Sequence, residues 1–167
     1  MTPTLQEELQ QRQPFKSLQE EAALNLSRTA VLLAEAGEAF LRPYGVSPPQ
    51  YNVLRILRGA GEKGLGRNEI RDRLLSRMPD VTRLLARLEE AGLIVRERSS
   101  QDRRYVPTRL TPAGLDLVNR LDEPMARTQR EHFVGLDEAQ LGALCGVLTH
   151  IRGNLLKVPE DGAEEQA

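Results

Sequence analysis

Apolar residues recur every three or four positions in six stretches of the chain, and polar caps, prolines and glycines separate them. Leu18, Ala22, Leu26, Ala30, Leu33, Ala34, Phe40 and Leu41 follow a Ser17/Glu20 capping pattern and precede Pro43 and Gly45, which predicts a long helix over about 18–42. Ser47, with Pro48 next and Gln50 three residues on, opens a helix over 48–59 that buries Tyr51, Leu54 and Leu57. Four glycines from Gly59 to Gly66 make a turn. A short helix from Arg67 to Leu75 has Ile70, Leu74 and Leu75 as its apolar side. Val81, Leu84, Leu85 and Leu88 then form one tight stripe on a helix that begins at Pro79 and is closed by Gly92.

The pattern changes after Gly92. Leu93-Ile94-Val95 and Tyr105 to Leu110 are β-prone runs on either side of a polar loop, Arg98 to Arg104, and together they predict a two-stranded hairpin. Pro107 confines the second run to an edge or unpaired position. Helical spacing resumes at Thr111-Pro112, with Leu115, Val118, Leu121 and Met125 facing inward as far as about Phe133. Asp137 and Gln140 start a last helix that carries Leu141, Leu144, Leu148, Ile151 and Leu155. Residues 1–14 are Gln/Glu-rich, a weakly ordered arm or short accessory helix, and the acidic stretch from Pro159 is expected to be disordered. The fold class is mainly α with a small β wing: helix, turn, helix, glycine stop, hairpin, helix is the order of a winged helix-turn-helix.

Composition supports this reading and narrows the function. Hydrophobic residues make up 40% and charged residues 28% of 167, and aromatics only 4% with no Trp, so the core must be built from Leu, Ala and Val. No apolar run approaches the ~18–20 residues that span a bilayer, so no membrane association and a cytoplasmic location are expected. The net charge of −1 conceals a segregation. From Lys63 to Leu110 twelve basic residues face seven acidic ones, whereas the remainder holds eleven basic and seventeen acidic. A basic head on an acidic body suits a polyanionic partner.

The head has the parts needed to read duplex DNA. With Val81, Leu84, Leu85 and Leu88 turned to the core, Arg83 projects from the opposite side of its helix, flanked by Thr82 and Arg87. An Arg in that place can bond a guanine edge in the major groove bidentately, worth about 1–3 kcal/mol of discrimination. Ser76 and Arg77, near the helix start, suit phosphate contacts. Arg98, Arg103 and Arg104 surround the hairpin tip, from which Arg can enter the minor groove, and Asp102 is assigned the job of orienting a neighbouring Arg.

The segments Met78-Pro79-Asp80-Val81-Thr82-Arg83-Leu84-Leu85, Arg87-Leu88-Glu89-Glu90-Ala91-Gly92-Leu93-Ile94, Asp102-Arg103-Arg104 and Leu110-Thr111-Pro112-Ala113-Gly114 occur in this order. In sequence and spacing they resemble the signature of the MarR family of bacterial transcriptional regulators. The resemblance implies a homodimer held by the first and last two helices of each chain. It gives an N-terminal arm at 1–16, a dimerisation region at 17–47 and 111–157, a DNA-binding domain at 48–110 and a tail at 158–167. It implies a repressor that binds a palindromic operator, with Arg83 reading bases, Arg104 in the minor groove and Asp102 orienting it. It also implies that a small phenolic or anionic effector can release DNA, with Arg96 at a position that can meet it. The family's peroxide sensors carry a reactive Cys near the start of the first long helix, whereas Cys145 lies in the last one, so redox sensing is not implied.

Other chemistries find little support. Cys145 lies in an apolar helical run and is expected to be a small buried hydrophobe. His132 and His150 have no partners at ligand spacing, so no metal or other cofactor is implied. Glu89 and Glu90 are expected on a solvated helix face rather than as an acid/base pair. The chain has no phosphate-binding glycine loop, nucleophile elbow or metal motif, and an enzyme is not expected. The competing reading is a winged-helix protein-interaction module without DNA binding, which has no need of three arginines at the wing tip.

Overall fold

A computed structural model describes residues 3–76, 80–96 and 106–157. Among them lie α1 (Leu5–Glu8), α2 (Leu18–Leu41), α3 (Pro48–Ala60), α4 (Arg67–Arg73), α5 (Val81–Glu90), β1 (Ile94–Arg96), β2 (Thr108–Leu110), α6 (Pro112–His132) and α7 (Glu138–Leu155). Arg77, Arg98, Asp102, Arg103, Arg104 and the acidic tail lie outside the described residues, as does Tyr105. The chain divides into two compact units, Met1–Arg120 and Leu121–Ala167, with the division inside α6.

The helix starts follow the caps read from sequence. Ser17 accepts the Glu20 amide, Ser47 and Gln50 form a reciprocal capping box with Pro48 at the first helical position, and Asp137 and Gln140 form another. α5 starts later than expected. Its cap is Asp80, whose Oδ1 accepts the Arg83 amide at 2.8 Å, and its first residue is Val81; Pro79, expected in its first turn, lies outside the described residues.

Of the two alternatives for the N-terminal segment, the structure has the short accessory helix: Thr4 and Glu7 form a capping box, Leu5 is buried, and Glu8 meets Arg28 at 3.4 Å. Three further expectations are corrected. The helix from Arg67 ends at Arg73, because Leu74 is extended and the Leu75 amide donates to Asn52 Oδ1 at 3.0 Å; Leu75 is 92% exposed instead of packed inward. The second strand begins only at Thr108, since Pro107 has no N–H for the ladder. In α6 the inward stripe is Gly114, Leu117, Val118 and Leu121, whereas Leu115 is largely exposed.

The first unit has its core in the winged head. Val53, Leu54 and Leu57 of α3, Ile70 of α4, Leu85 and Leu88 of α5, Ile94 of β1 and Val118 of α6 are each 2% exposed or less. α3 lies centrally, packed on α2, α4, α5 and β2. β1 and β2 pair antiparallel in the register Ile94↔Leu110, Val95↔Arg109 and Arg96↔Thr108. A bridge from Leu65 to Thr108 adds a third short element. It depends on Gly64, whose φ of +65° and approach to Thr108, where a Cβ would lie 2.7 Å from the carbonyl oxygen, exclude a side chain.

The long helices are different. In α2 only Leu41 is buried, and in the second unit α7 has no buried residue. Val31, Leu32 and Leu33 of α2 and Leu144 and Val147 of α7 are exposed. Cys145 is exposed as well, a correction to its expected burial, in keeping with a helix that has no buried residue. No described helix is long and apolar enough to cross a membrane.

Candidate nucleic-acid interface

The recognition helix α5 is seated by its apolar stripe and fixed at both ends. Val81, Leu84, Leu85 and Leu88 are buried, which leaves Thr82, Arg83 and Arg87 together on the exposed side. The structure therefore places three of the expected contact residues on one face. Ser76 is exposed and precedes the cap by four residues. Arg67, at the first position of α4, was not singled out from sequence, yet its Nη1 donates to the Thr82 hydroxyl at 3.4 Å. Nothing in its spacing distinguishes it from other surface arginines.

The far end of α5 closes in a Schellman motif. The Gly92 amide donates to the Glu89 carbonyl at 2.9 Å and the Leu93 amide to the Leu88 carbonyl at 3.0 Å, with Gly92 at φ +68°. The Thr111 hydroxyl then donates to the Gly92 carbonyl at 2.7 Å and accepts the Gly114 amide at 3.1 Å. One side chain thus joins the exit of the recognition helix to the start of α6. Gly114 packs against this junction so closely that a Cβ would lie 2.0 Å from the Leu93 carbonyl oxygen.

The wing is tied to α5 by Glu89 and Arg96. Glu89 Oε1 accepts the Arg96 amide at 3.2 Å, and Oε2 accepts Nε at 2.9 Å and also Nη2. This corrects the expectation that Glu89 is simply solvated; Glu90 is exposed as expected. The bonds from Arg96 hold the Glu89 carboxyl below its ordinary range, and the carboxylate raises the Arg96 guanidinium in turn. Arg96, expected at an effector position, thus already has an anionic partner.

On the other side of the sheet, Arg109 Nε donates to the Glu62 carbonyl at 2.6 Å, and Arg58 Nη1 to Asn119 Oδ1 at 3.0 Å. Nearby lies a half-open pocket of about 380 Å³, walled by Leu57, Leu110, Pro112 and Leu115 with Arg58 and Arg109. Glu62 lines it as well, so its charged residues are two arginines and one carboxylate. Sequence reasoning missed it because its residues come from three separate segments.

Comparison with known proteins agrees with this architecture. The MarR family model matches residues 44–104. The transcriptional repressor IacR of Pseudomonas putida is 30% identical over 118 residues, covering 71% of this chain and 70% of that one. A crystal structure of a MarR transcription factor from Planctomyces limnophilus is 36% identical, with a TM-score of 0.60, over 87% of this chain and all of that one. The chain belongs to the MarR family of transcriptional regulators. The fold is also that of MepR from S. aureus, solved as a DNA complex, with a TM-score of 0.72 and 23% identity over 79% of this chain and 96% of that one. The chain spans 63–80% of the length of the curated relatives it matches. The mainly helical winged fold and the family read from sequence are both borne out.

Proposed function

We propose that this MarR-family chain is a homodimeric, sequence-specific DNA-binding regulator that represses transcription by occupying a palindromic operator. The observation that carries this reading is the exposed face of α5, where Thr82, Arg83 and Arg87 stand together because the opposite stripe is buried. Arg83 reads a base edge in the major groove and Thr82 and Arg87 flank it. Ser76 and Arg77 contact phosphate, while Arg98, Arg103 and Arg104 of the wing reach the minor groove, oriented by Asp102. Residues 48–110 form the reading domain.

The exposed apolar residues of α2 and α7 support dimerisation through 17–47 and 111–157. Two-fold symmetry then presents two recognition helices to successive major grooves, about 34–36 Å apart. A small phenolic or anionic effector suits the pocket walled by Leu57, Leu110, Pro112 and Leu115, where Arg58 and Arg109 outnumber the single carboxylate of Glu62. Its binding energy shifts the heads to a spacing that no longer matches the operator. The protein acts by occupancy in the cytoplasm, without a catalytic step.

Titrating the protein against genomic DNA fragments over a range of salt concentrations tests this. A regulator making several phosphate contacts loses affinity steeply with salt, with a slope in log–log form of about −0.9 per phosphate neutralised. Absent binding, or a flat response, would sink the proposal.

A further inference from the structure

We infer that Glu89 is a positioning residue for DNA binding: it fixes the root of the wing to the recognition helix and so sets where the wing meets the duplex. This rests on the DNA-binding reading above. Glu89 is the penultimate residue of α5, and Arg96 the last of β1. Both carboxylate oxygens are used by this one partner, Oε2 by the guanidinium and Oε1 by the main-chain N–H. A surface ion pair between two free side chains is worth little, because both must be ordered to form it. Here the backbone amide is already fixed by the strand, so the carboxylate locates the main chain as well as the Arg side chain.

The linkage continues through the sheet. Arg96 lies opposite Thr108, which is 1% exposed and exchanges two main-chain bonds with Leu65, at 2.8 and 3.1 Å. Leu65 in turn immediately precedes Gly66, the N-cap of α4. Strand pairing, the Leu65–Thr108 bonds and the chain itself therefore connect the recognition helix through both strands to the helix before it. Among the described residues, Glu89 supplies the side-chain hydrogen bonds from α5 to β1.

Charge and position give opposite signs for the same substitution. Glu89 is an anion on a helix that approaches a polyanion, so by charge alone Glu89→Gln should tighten binding. If its work is to place the wing, the same change weakens binding despite removing a negative charge. The weakening should come from the wing contacts only.

The test uses the full chain and a duplex fragment that the parent protein binds. Affinity, hydroxyl-radical footprints, guanine N7 protection and the urea unfolding midpoint are measured for the parent, Glu89→Gln, Arg96→Ala and the exchanged pair Glu89→Arg/Arg96→Glu. We expect Glu89→Gln to bind about fivefold more weakly or worse, with minor-groove protection reduced and guanine N7 protection kept. The unfolding midpoint should stay close to the parent's, and the exchanged pair should recover part of the minor-groove footprint. Glu89→Gln binding as well as or better than the parent with an unchanged footprint overturns the inference and leaves the DNA-binding reading standing. A parent that protects no DNA overturns both. Loss of both footprints together with a lowered midpoint also overturns it, in favour of a general structural role.

Discussion

Gly114→Ala separates packing from helix propensity, because the two give opposite signs. Gly114 is the third residue of α6, where Ala is favoured over Gly by up to about 1 kcal/mol if nothing else intervenes. The structure puts the new Cβ 2.0 Å from the Leu93 carbonyl oxygen and 2.9 Å from its carbon, both backbone atoms that cannot rotate away. Carbon and oxygen approach to about 3.3 Å even in favourable contacts, so the start of α6 and the Leu93 segment must separate by about 1.3 Å. That distance breaks the Thr111 amide to Leu93 carbonyl bond, now 3.1 Å, and the Thr111 hydroxyl to Gly92 carbonyl bond, now 2.7 Å. Two bonds at about 0.5–1.5 kcal/mol each, with about 1–3 kcal/mol of overpacking, outweigh the propensity gain and leave a net loss near 3 kcal/mol. For a chain of this size that lowers Tm by roughly 6–12 °C. Calorimetry or urea unfolding monitored by circular dichroism reads it. Gly59→Ala, in α3 with open space around the new Cβ, is the control and should be neutral or stabilising. A Gly114→Ala variant as stable as the parent, or more so, would refute the close-contact reasoning.

Several other outcomes follow from the same geometry. Leu88→Ala, at a side chain with no exposure, should cost about 2–5 kcal/mol in urea unfolding. Glu89 has a lowered pKa in the folded chain, so its contribution is present above the ordinary carboxylate range and is lost as pH falls through the folded value. Acid titration of stability should therefore cost the parent more than Glu89→Gln, by about 0.2–1 kcal/mol for a pair this exposed. Val147→Glu places a charge on the uncovered side of α7 and should shift the protein to monomer in sedimentation, with loss of high-affinity binding to a two-site operator.

The sequence made the helices legible where local chemistry decides them. Ser17, Ser47 and Asp137 announce helix starts by a mechanism that needs no tertiary contact, and Gly92 announces a stop in the same way. The stripe of Val81, Leu84, Leu85 and Leu88 fixed which side of α5 Arg83 occupies. What stayed hidden depends on partners distant in sequence. Asn52 draws the Leu75 amide out of helical register across 23 residues, and Leu65 joins the sheet through Thr108, a single apolar residue among glycines with no strand pattern of its own. The tie between Glu89 and Arg96 was missed for another reason: across the turn at Gly92 helical periodicity no longer says which side chains meet. Cys145 misled because an apolar helical run signals burial without saying in which chain the covering surface lies.

Selection from a random duplex library, followed by titration of the parent and Arg83→Ala against the enriched sequence and a scrambled one, tests DNA reading by α5 most directly. The parent should enrich a palindrome with half-sites about 10–10.5 base pairs apart and bind it at least about 10³-fold more tightly than the scrambled duplex. Arg83→Ala should lose about 1–3 kcal/mol of that preference, with its unfolding midpoint unchanged. Enrichment of no sequence, or a preference that Arg83→Ala leaves intact, would contradict the assignment of α5 as the reading element.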